Sequence, residues 1–144
     1  MSHPLSHSTS PSSNASDARE RALILLYESE SRGLSVGAVI AEQVVSPSSV
    51  AVALALGVES CQVRYDELIS SRARGWRLER MPMIDRAILR LALHELSTST
   101  SVPTAVVMNE GIELAKRFST EDSGRFVNGI LAALLETVRP GGNA

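Results

Sequence analysis

The chain has 144 residues, of which 44% are hydrophobic and only 3% are aromatic. This length is enough for one domain with a sizeable core. A core of Ala, Val, Leu and Ile with so few aromatic residues is more typical of packed helices than of a β-sandwich. The net charge of −2 argues against strong nucleic-acid binding by the chain alone, because neutralisation of phosphates supplies most of the sequence-independent affinity.

The start of the chain is rich in serine, contains prolines and carries no hydrophobic segment. We therefore predict a disordered tail over 1–16 and not a signal peptide. We also predict one helical domain over 17–140 and a short disordered C-terminal end over 141–144. The longest apolar run, 50–58, is too short to cross a bilayer, so no membrane association is expected.

Cys61 is the only cysteine. A disulfide within the chain is therefore excluded, which favours a reducing cytoplasm, and we expect a buried core thiol. His3 and His7 lie in the predicted tail as solvated side chains, so neither a metal site nor a cofactor is predicted.

Hydrophobic residues recur three and four apart along the domain, which predicts α-helices. The predicted helices run from Asp17 to Gly33, from Ser35 to Val44, from about 50 to near Gly75 as one long helix, from 83 to 99, from Pro103 to Phe118 and from Thr120 to Val138. No segment has a clear strand pattern. We therefore predict an all-α bundle of about six or seven helices.

The segment after Pro82, MIDRAILRLALHELSTS, is apolar in nearly every direction on a helical wheel. Such a helix belongs in the middle of a bundle. The exception is a ridge of Arg86, Arg90 and His94, spaced four residues apart. Glu95 points into the apolar side, and because a buried carboxylate needs a partner, we predict that it meets a helix N-terminus or an arginine.

The stretch EDSGRFVNGIL, at 121–131, places the turn-forming pair Asn128-Gly129 inside a helical pattern. A hairpin would need alternating strands on both sides of this pair, and none are present. We therefore predict an unbroken helix. Phe126 then lies at the edge of the apolar stripe, half-buried or exposed, next to Arg125.

The sequence contains no nucleotide-binding loop, zinc motif or nucleophile motif, so an enzyme is not predicted. What remains is a set of arginines near an aromatic residue. This combination is typical of single-stranded RNA sites, where rings stack on bases and guanidinium groups contact phosphates. The candidates are Arg19, Arg21, Arg86, Arg90, Arg125 and Phe126.

The structural alternative for the same residues has Arg86 and Arg90 in ion pairs and Phe126 at the edge of the core. The partners of the two arginines would then be Asp85, Glu79 or Glu110.

Three stretches carry a specific combination of motifs: ARERALILLYE at 18–28, DRAILRLALHEL at 85–96 and VPTAVVMNEGIELAKRFSTEDSGRFVNGIL at 102–131. In this order they resemble the NusB family of bacterial transcription antitermination factors, over roughly 17–140. The resemblance implies an all-helical fold of two sub-bundles, no cofactor and no catalysis. It also implies a complex with NusE, which is also a small-subunit ribosomal protein. The pair would bind single-stranded boxA RNA of nascent transcripts, above all ribosomal RNA leaders, and help RNA polymerase resist termination.

The resemblance also assigns residues to two surfaces. The RNA-facing surface falls on Arg19, Arg90, Arg125, Phe126 and Asn128. The NusE-facing surface falls on Tyr27, Glu79 and Asp85, and Asp122, beside the RNA surface, is assigned with them.

One departure from the family concerns the segment before the first motif. Many members carry an arginine-rich run there, whereas this chain has SSNASDARE with no cation before Arg19. Because each lost phosphate contact weakens binding, we predict that RNA binding depends on NusE. The family includes monomers and homodimers, and a homodimer could cover the RNA surface.

Two alternatives to an antitermination factor stay open. A NusB-like domain also precedes the catalytic part of a ribosomal RNA cytosine methyltransferase, whose methyl-donor site would have to follow Ala144 here. The other alternative is a helical adaptor that binds protein and has lost contact with RNA, which the missing basic run favours.

Overall fold

Helical hydrophobic spacing is realised as seven α-helices in the computed structural model, which describes residues 11–73 and 75–141. The helices are α1 (Pro11–Arg32), α2 (Val36–Ala41), α3 (Ser49–Ser60), α4 (Gln62–Arg72), α5 (Met83–Thr98), α6 (Thr104–Phe118) and α7 (Glu121–Val138). A short 3-10 turn at Leu78–Arg80 precedes α5. No strand occurs in the described ranges, so the predicted all-α fold is confirmed.

Three predicted helix boundaries are wrong. α1 begins at Pro11 and not at Asp17, and α2 ends at Ala41 and not at Val44. The single long helix predicted before Gly75 is two helices, because Cys61 leaves the helical conformation with φ −113° and ψ 15°. Of the predicted tails, residues 1–10 and 142–144 lie outside the described part of the chain.

The break at Cys61 redirects the chain between two packing surfaces. α3 packs against α1 and α5, whereas α4 packs against α5 and α7. The thiol itself is half-buried and packs against the core, so the prediction of a fully buried Cys61 is only partly met.

The helices form the two sub-bundles that the sequence resemblance implies. α1, α2 and α3 pack on one another, as do α5, α6 and α7. α5 also contacts α1 and α3, so it is shared by both groups. This central position explains why its sequence is apolar nearly all round: eleven of its residues, from Asp85 to Leu96, are buried.

The buried carboxylate of Glu95 meets an arginine, as predicted. Arg19 on α1 donates from Nε to Glu95 Oε1 at 2.7 Å, and both side chains are buried. A second carboxylate, that of Glu110 on α6, lies 3.6 Å from Arg19 Nη1 and accepts a hydrogen bond from Ser16. This cluster connects α1, α5 and α6 through charge as well as through apolar packing.

His94 and Tyr65 form a second polar contact in the interior. The Tyr65 hydroxyl lies 2.8 Å from Nδ1 of His94, and the tyrosine is fully buried. Burial lowers the pKa of His94, because the charged imidazolium is poorly solvated there. Burial, with a smaller contribution from the hydrogen bond to Cys61, raises the pKa of Tyr65 to about 12. This contact therefore holds a neutral phenol against a histidine whose neutral form is favoured.

Gly111 in α6 offers a test of packing between α5, α6 and α7. A Cβ added there would lie 3.7 Å from Leu131 Cδ1, 3.8 Å from Val127 Cγ1 and 3.9 Å from Ala92 Cβ. These are ordinary van der Waals distances, so a methyl group fits without displacing its neighbours. Because alanine also has a helix propensity about 1 kcal/mol better than that of glycine, we expect Gly111→Ala to raise the free energy of unfolding by about 1 kcal/mol. Urea denaturation followed by circular dichroism measures this, and a lower midpoint would show that the methyl group does not fit.

Candidate nucleic-acid interface

Phe126 lies in the second turn of α7, whose N-cap residue is Thr120. The hydroxyl of Thr120 accepts a hydrogen bond from the backbone N–H of Ser123 at 3.1 Å and so fixes the first turn. Phe126 is half-buried, as predicted, and its ring packs against Trp76 with a centroid distance of 6.1 Å and an angle of 57° between the ring planes. Trp76 is 56% exposed. The two rings, here called the aromatic pair, present one continuous aromatic surface.

Arg125 extends from α7 beside this pair. Its Nη2 donates to Asp122 Oδ1 at 2.7 Å, but the two side chains are 81% and 86% exposed. An ion pair so open to water contributes little energy, so Arg125 can exchange its carboxylate for a phosphate at small cost. Asn128 is exposed on the same helix, and Gly129 has open space around it. A ligand can therefore approach the surface of α7 at Asn128 and Gly129 without a steric obstacle.

Arg86 and Arg90 lie in the interior, where their charge is already compensated. Arg90 donates from Nε and Nη2 to the two oxygens of Asp66, at 2.7 and 3.1 Å, and from Nη1 to Glu30 at 3.1 Å. Arg86 donates to the second oxygen of Glu30. The partners suggested by the sequence (Asp85, Glu79 and Glu110) are therefore wrong. The acids that α1 and α4 bring against α5 take their place.

Three of the predicted RNA-binding arginines thus act as structural ion pairs in this structure. Arg19, Arg86 and Arg90 are each no more than 9% exposed. Arg86 also donates to the carbonyl oxygens of Leu78 and Met81, at 3.1 and 2.8 Å, which fixes the 3-10 turn on α5.

Arg21 is half-buried on α1, where it binds the loop that follows α2. Its Nη2 donates to the carbonyl of Val45 at 2.6 Å and to the Gln43 side chain at 3.1 Å. Arg21 does not line the groove that contains Trp76 and Phe126.

Three of the four residues predicted to face NusE line two shallow grooves that meet at Pro82. The first groove contains Tyr27, which is 43% exposed, together with Phe118 and Ile84. The second groove contains the aromatic pair with Asp85 and Asp122. Glu79 is exposed in the 3-10 turn beside them. The structure therefore brings Tyr27, Asp85, Asp122 and Phe126 onto one connected surface, here called the two-groove surface.

Asp85 is the one of these residues that is buried, at 3% exposure. Its Oδ2 accepts a hydrogen bond from the Ser123 hydroxyl at 2.9 Å. Its Oδ1 has no hydrogen-bond donor among the described residues. A buried carboxylate oxygen without a donor costs about 1–3 kcal/mol, so Asp85 is a destabilising polar group in the fold at this position.

Trp76, Arg77 and Arg80 are surface residues that the sequence interpretation did not assign to a site. All three are exposed, and they line one shallow hollow with Gly75. The available signal was the chain's only tryptophan followed by two arginines in WRLER. Hydrophobic periodicity could not locate this segment, because it forms a loop and a 3-10 turn and not an α-helix.

The described residues contain neither a group of side chains placed to bind a metal ion nor a helix that could cross a membrane. Across 11–73 and 75–141, no group of three His, Cys, Asp or Glu side chains is placed to hold a metal ion. None of the helices in these ranges combines the length and apolarity needed to cross a bilayer.

The fold and the site together define an all-helical protein of two sub-bundles with an aromatic and arginine-bearing surface. The model of the NusB family matches residues 16–136. The chain therefore belongs to the NusB family.

Individual relatives agree with this assignment. The chain is 44% identical, over 82% of its length, to the transcription antitermination protein NusB of Beutenbergia cavernae and covers 86% of that protein. Its structure is similar to NusB of T. maritima with a TM-score of 0.80, 31% identity and coverage of 91% of this chain and 94% of that one. A crystal structure of antitermination factors NusB and NusE in complex with double-stranded RNA matches with a TM-score of 0.73, 25% identity and coverage of 85% and 96%.

Proposed function

We propose that this chain is a transcription antitermination factor that binds NusE and, together with NusE, single-stranded boxA RNA of nascent ribosomal transcripts. The complex would help RNA polymerase resist termination in the cytoplasm, and the chain itself would carry out no catalysis. The observation that carries this proposal is the two-groove surface, on which the residues assigned to NusE adjoin the aromatic pair. The relatives named as antitermination factors support it.

The RNA half of the surface consists of Phe126, Arg125 and Asn128. We propose unpaired RNA as its ligand, because a half-exposed ring can stack on a base only where that base is not already stacked in a duplex. Arg125 supplies a cation next to the ring at small desolvation cost. Asn128 adds an amide that can both donate and accept hydrogen bonds.

The protein half consists of Tyr27, Glu79, Asp85 and Asp122. Three of these are acidic, and NusE, as a ribosomal protein, would meet them with basic side chains. Asp85 lines the second groove from below, so its carboxylate adds negative charge beneath the surface that NusE would cover. The exposed ring of Tyr27 supplies an apolar anchor in the first groove.

RNA binding should depend on NusE, because the chain has a net charge of −2 and buries three of its candidate cations in ion pairs. Fluorescence anisotropy of a labelled boxA RNA, with and without NusE at about 0.15 M salt, tests this dependence. We expect tight binding only when NusE is present. Submicromolar binding by the chain alone would contradict the dependence on NusE.

Phe126→Ala separates the RNA site from the scaffold. We expect the variant's NusE complex to bind boxA RNA roughly 5- to 150-fold more weakly, because one stacked base contributes about 1–3 kcal/mol. Since Phe126 is only half-buried, the free energy of unfolding should fall by less than the about 3–5 kcal/mol typical of a buried phenylalanine. A loss of that full size with unchanged RNA affinity would make Phe126 a core residue.

Tyr27→Asp is the matched variant for the protein half. We expect it to weaken NusE binding in isothermal titration calorimetry while the melting temperature stays close to that of the unchanged chain, because the ring is 43% exposed. Unfolding of this variant would instead place Tyr27 among the residues that hold the fold.

An adaptor that binds NusE without RNA is the second candidate, and the burial of Arg19, Arg86 and Arg90 favours it. The adaptor differs from the antitermination factor in one expected result. Its complex with NusE forms, but adding NusE does not raise its affinity for boxA RNA. The relative in Beutenbergia cavernae, of which the chain covers 86%, is an antitermination protein and so favours that function over the methyltransferase alternative.

A further inference from the structure

Trp76 is the chain's only tryptophan, and more than half of it is exposed in the loop between α4 and the 3-10 turn. Exposure of so large an apolar ring gives up the stabilisation that its burial would provide. The ring is nevertheless held in place, because it packs on Phe126. The backbone on its other side is fixed by the hydrogen bonds of Arg86 to the carbonyls of Leu78 and Met81. Trp76 is thus an exposed ring on an ordered support.

Two cations lie next to this ring. Arg77 and Arg80 are exposed, share the hollow with Trp76, and form no ion pair with any described residue. Glu79, in the same turn, pairs with neither of them. Their situation is the reverse of that of Arg86 and Arg90, which are buried and whose charge is compensated by the carboxylates of Glu30 and Asp66.

We infer that the segment 75–80 is a second RNA-binding element, in which an unpaired base stacks on Trp76 while Arg77 and Arg80 contact the neighbouring phosphates. The inference rests on the proposed function and deepens it. An aromatic ring flanked by uncompensated guanidinium groups is the combination that binds single-stranded nucleic acid without strict sequence preference. The contact between Trp76 and Phe126 makes the two stacking positions adjacent, so the same strand can pass over both rings.

This element also supplies what the chain lacks elsewhere. The segment before Arg19 has no cation, and the cations predicted on α5 are buried. Arg77 and Arg80 add two phosphate contacts at the place where bases stack, which local charge can provide even in a chain with a net charge of −2.

Intrinsic fluorescence provides a direct readout, because Trp76 is the only indole of the chain. The NusE complex is titrated with boxA RNA, and the same titration of the Trp76→Phe variant is subtracted to remove any signal from NusE. We expect the tryptophan fluorescence to be quenched as the RNA binds, since a stacked base lies against the ring. Unchanged tryptophan fluorescence at saturating RNA would overturn the inference. Because this readout uses the unchanged chain, it remains valid even if the Trp76→Ala variant fails to fold.

Affinity and its salt dependence test the two parts of the element separately. Trp76→Ala should weaken RNA binding roughly 5- to 150-fold. Arg77→Gln with Arg80→Gln should reduce the slope of log affinity against log salt by about 1.4, or about 0.7 for each phosphate contact on a single strand. The control double variant, Arg32→Gln with Arg64→Gln, removes the same charge elsewhere on the surface and should leave the slope nearly unchanged.

The outcomes distinguish this inference from the proposed function. If the unchanged NusE complex binds boxA RNA and the variants bind it equally well, the inference is wrong and the proposed function stands. If the variants lose affinity for NusE but keep RNA affinity at saturating NusE, the segment is a protein contact and the inference is overturned. If the unchanged complex binds no RNA, both fail.

Discussion

Replacing Arg90 with alanine is expected to lower the free energy of unfolding by about 3–5 kcal/mol, the usual cost of breaking a buried ion pair by removing one partner. Arg90 is 6% exposed and donates two hydrogen bonds to Asp66 and one to Glu30. Without the guanidinium, the partly buried carboxylate of Asp66 loses the cation that compensates its charge. Urea denaturation at neutral pH, followed by circular dichroism, measures the loss.

Arg125→Ala is the matched control, because it removes the same side chain from an ion pair that is open to water. We expect its effect on unfolding to stay below about 1 kcal/mol. If the two variants destabilise the chain equally, burial does not set the energy of the Arg90 pair. If Arg90→Ala stays stably folded but its NusE complex loses RNA affinity, Arg90 contacts RNA as the family resemblance implied, and its role as a structural ion pair is wrong.

Gly57→Ala is expected to cost about 1–3 kcal/mol, as overpacking of a filled core typically does. A Cβ at Gly57 in α3 would lie only 2.3 Å from Nε2 and 2.6 Å from Cε1 of His94. The imidazole cannot move aside freely, since its Nδ1 is bound to the buried hydroxyl of Tyr65 at 2.8 Å. Displacing His94 would break this hydrogen bond. Thermal unfolding, converted to a free energy difference, checks the size of the effect.

The origin of this cost can be separated from helix propensity by two comparisons. Gly111→Ala makes the same change in a helix but meets only ordinary contacts, so its effect should have the opposite sign. In the double variant Gly57→Ala with His94→Ser, the steric part of the cost should disappear, which gives a nonadditive cycle. Additive losses would place the cause outside the contact between the two residues.

Much of the fold could be predicted because helical periodicity is a local property. The apolar wheel of α5 placed it at the centre of the bundle, and the buried carboxylate of Glu95 required a partner of the kind that Arg19 provides. The break at Cys61 could not be found in this way, since hydrophobic spacing continues through it. Only the tertiary structure shows that the helices on the two sides of the break pack on different neighbours, α3 on α1 and α4 on α7.

The candidate site was predictable where it lies on a helix and unpredictable where it lies in a loop. The wheel placed Phe126 at the edge of the core, whereas Trp76 and its flanking arginines have no period to interpret. The ion-pair partners of the buried arginines could not be predicted either, because they are distant in sequence: Glu30 lies 60 residues and Asp66 lies 24 residues from Arg90. Only tertiary packing brings such acids to α5.

The polar ridge of α5 also fixes the axial register of this helix. Successive turns present Arg86 to the 3-10 turn and Glu30, Arg90 to Asp66, and His94 to Tyr65. A slip of α5 by one turn, about 5.4 Å, would bring Arg90 against Tyr65 in one direction, or leave Asp66 opposite His94 in the other. The apolar side chains around the helix would tolerate either slip far better. Three different partners in a row therefore leave one register for a helix whose hydrophobic surface alone would permit several.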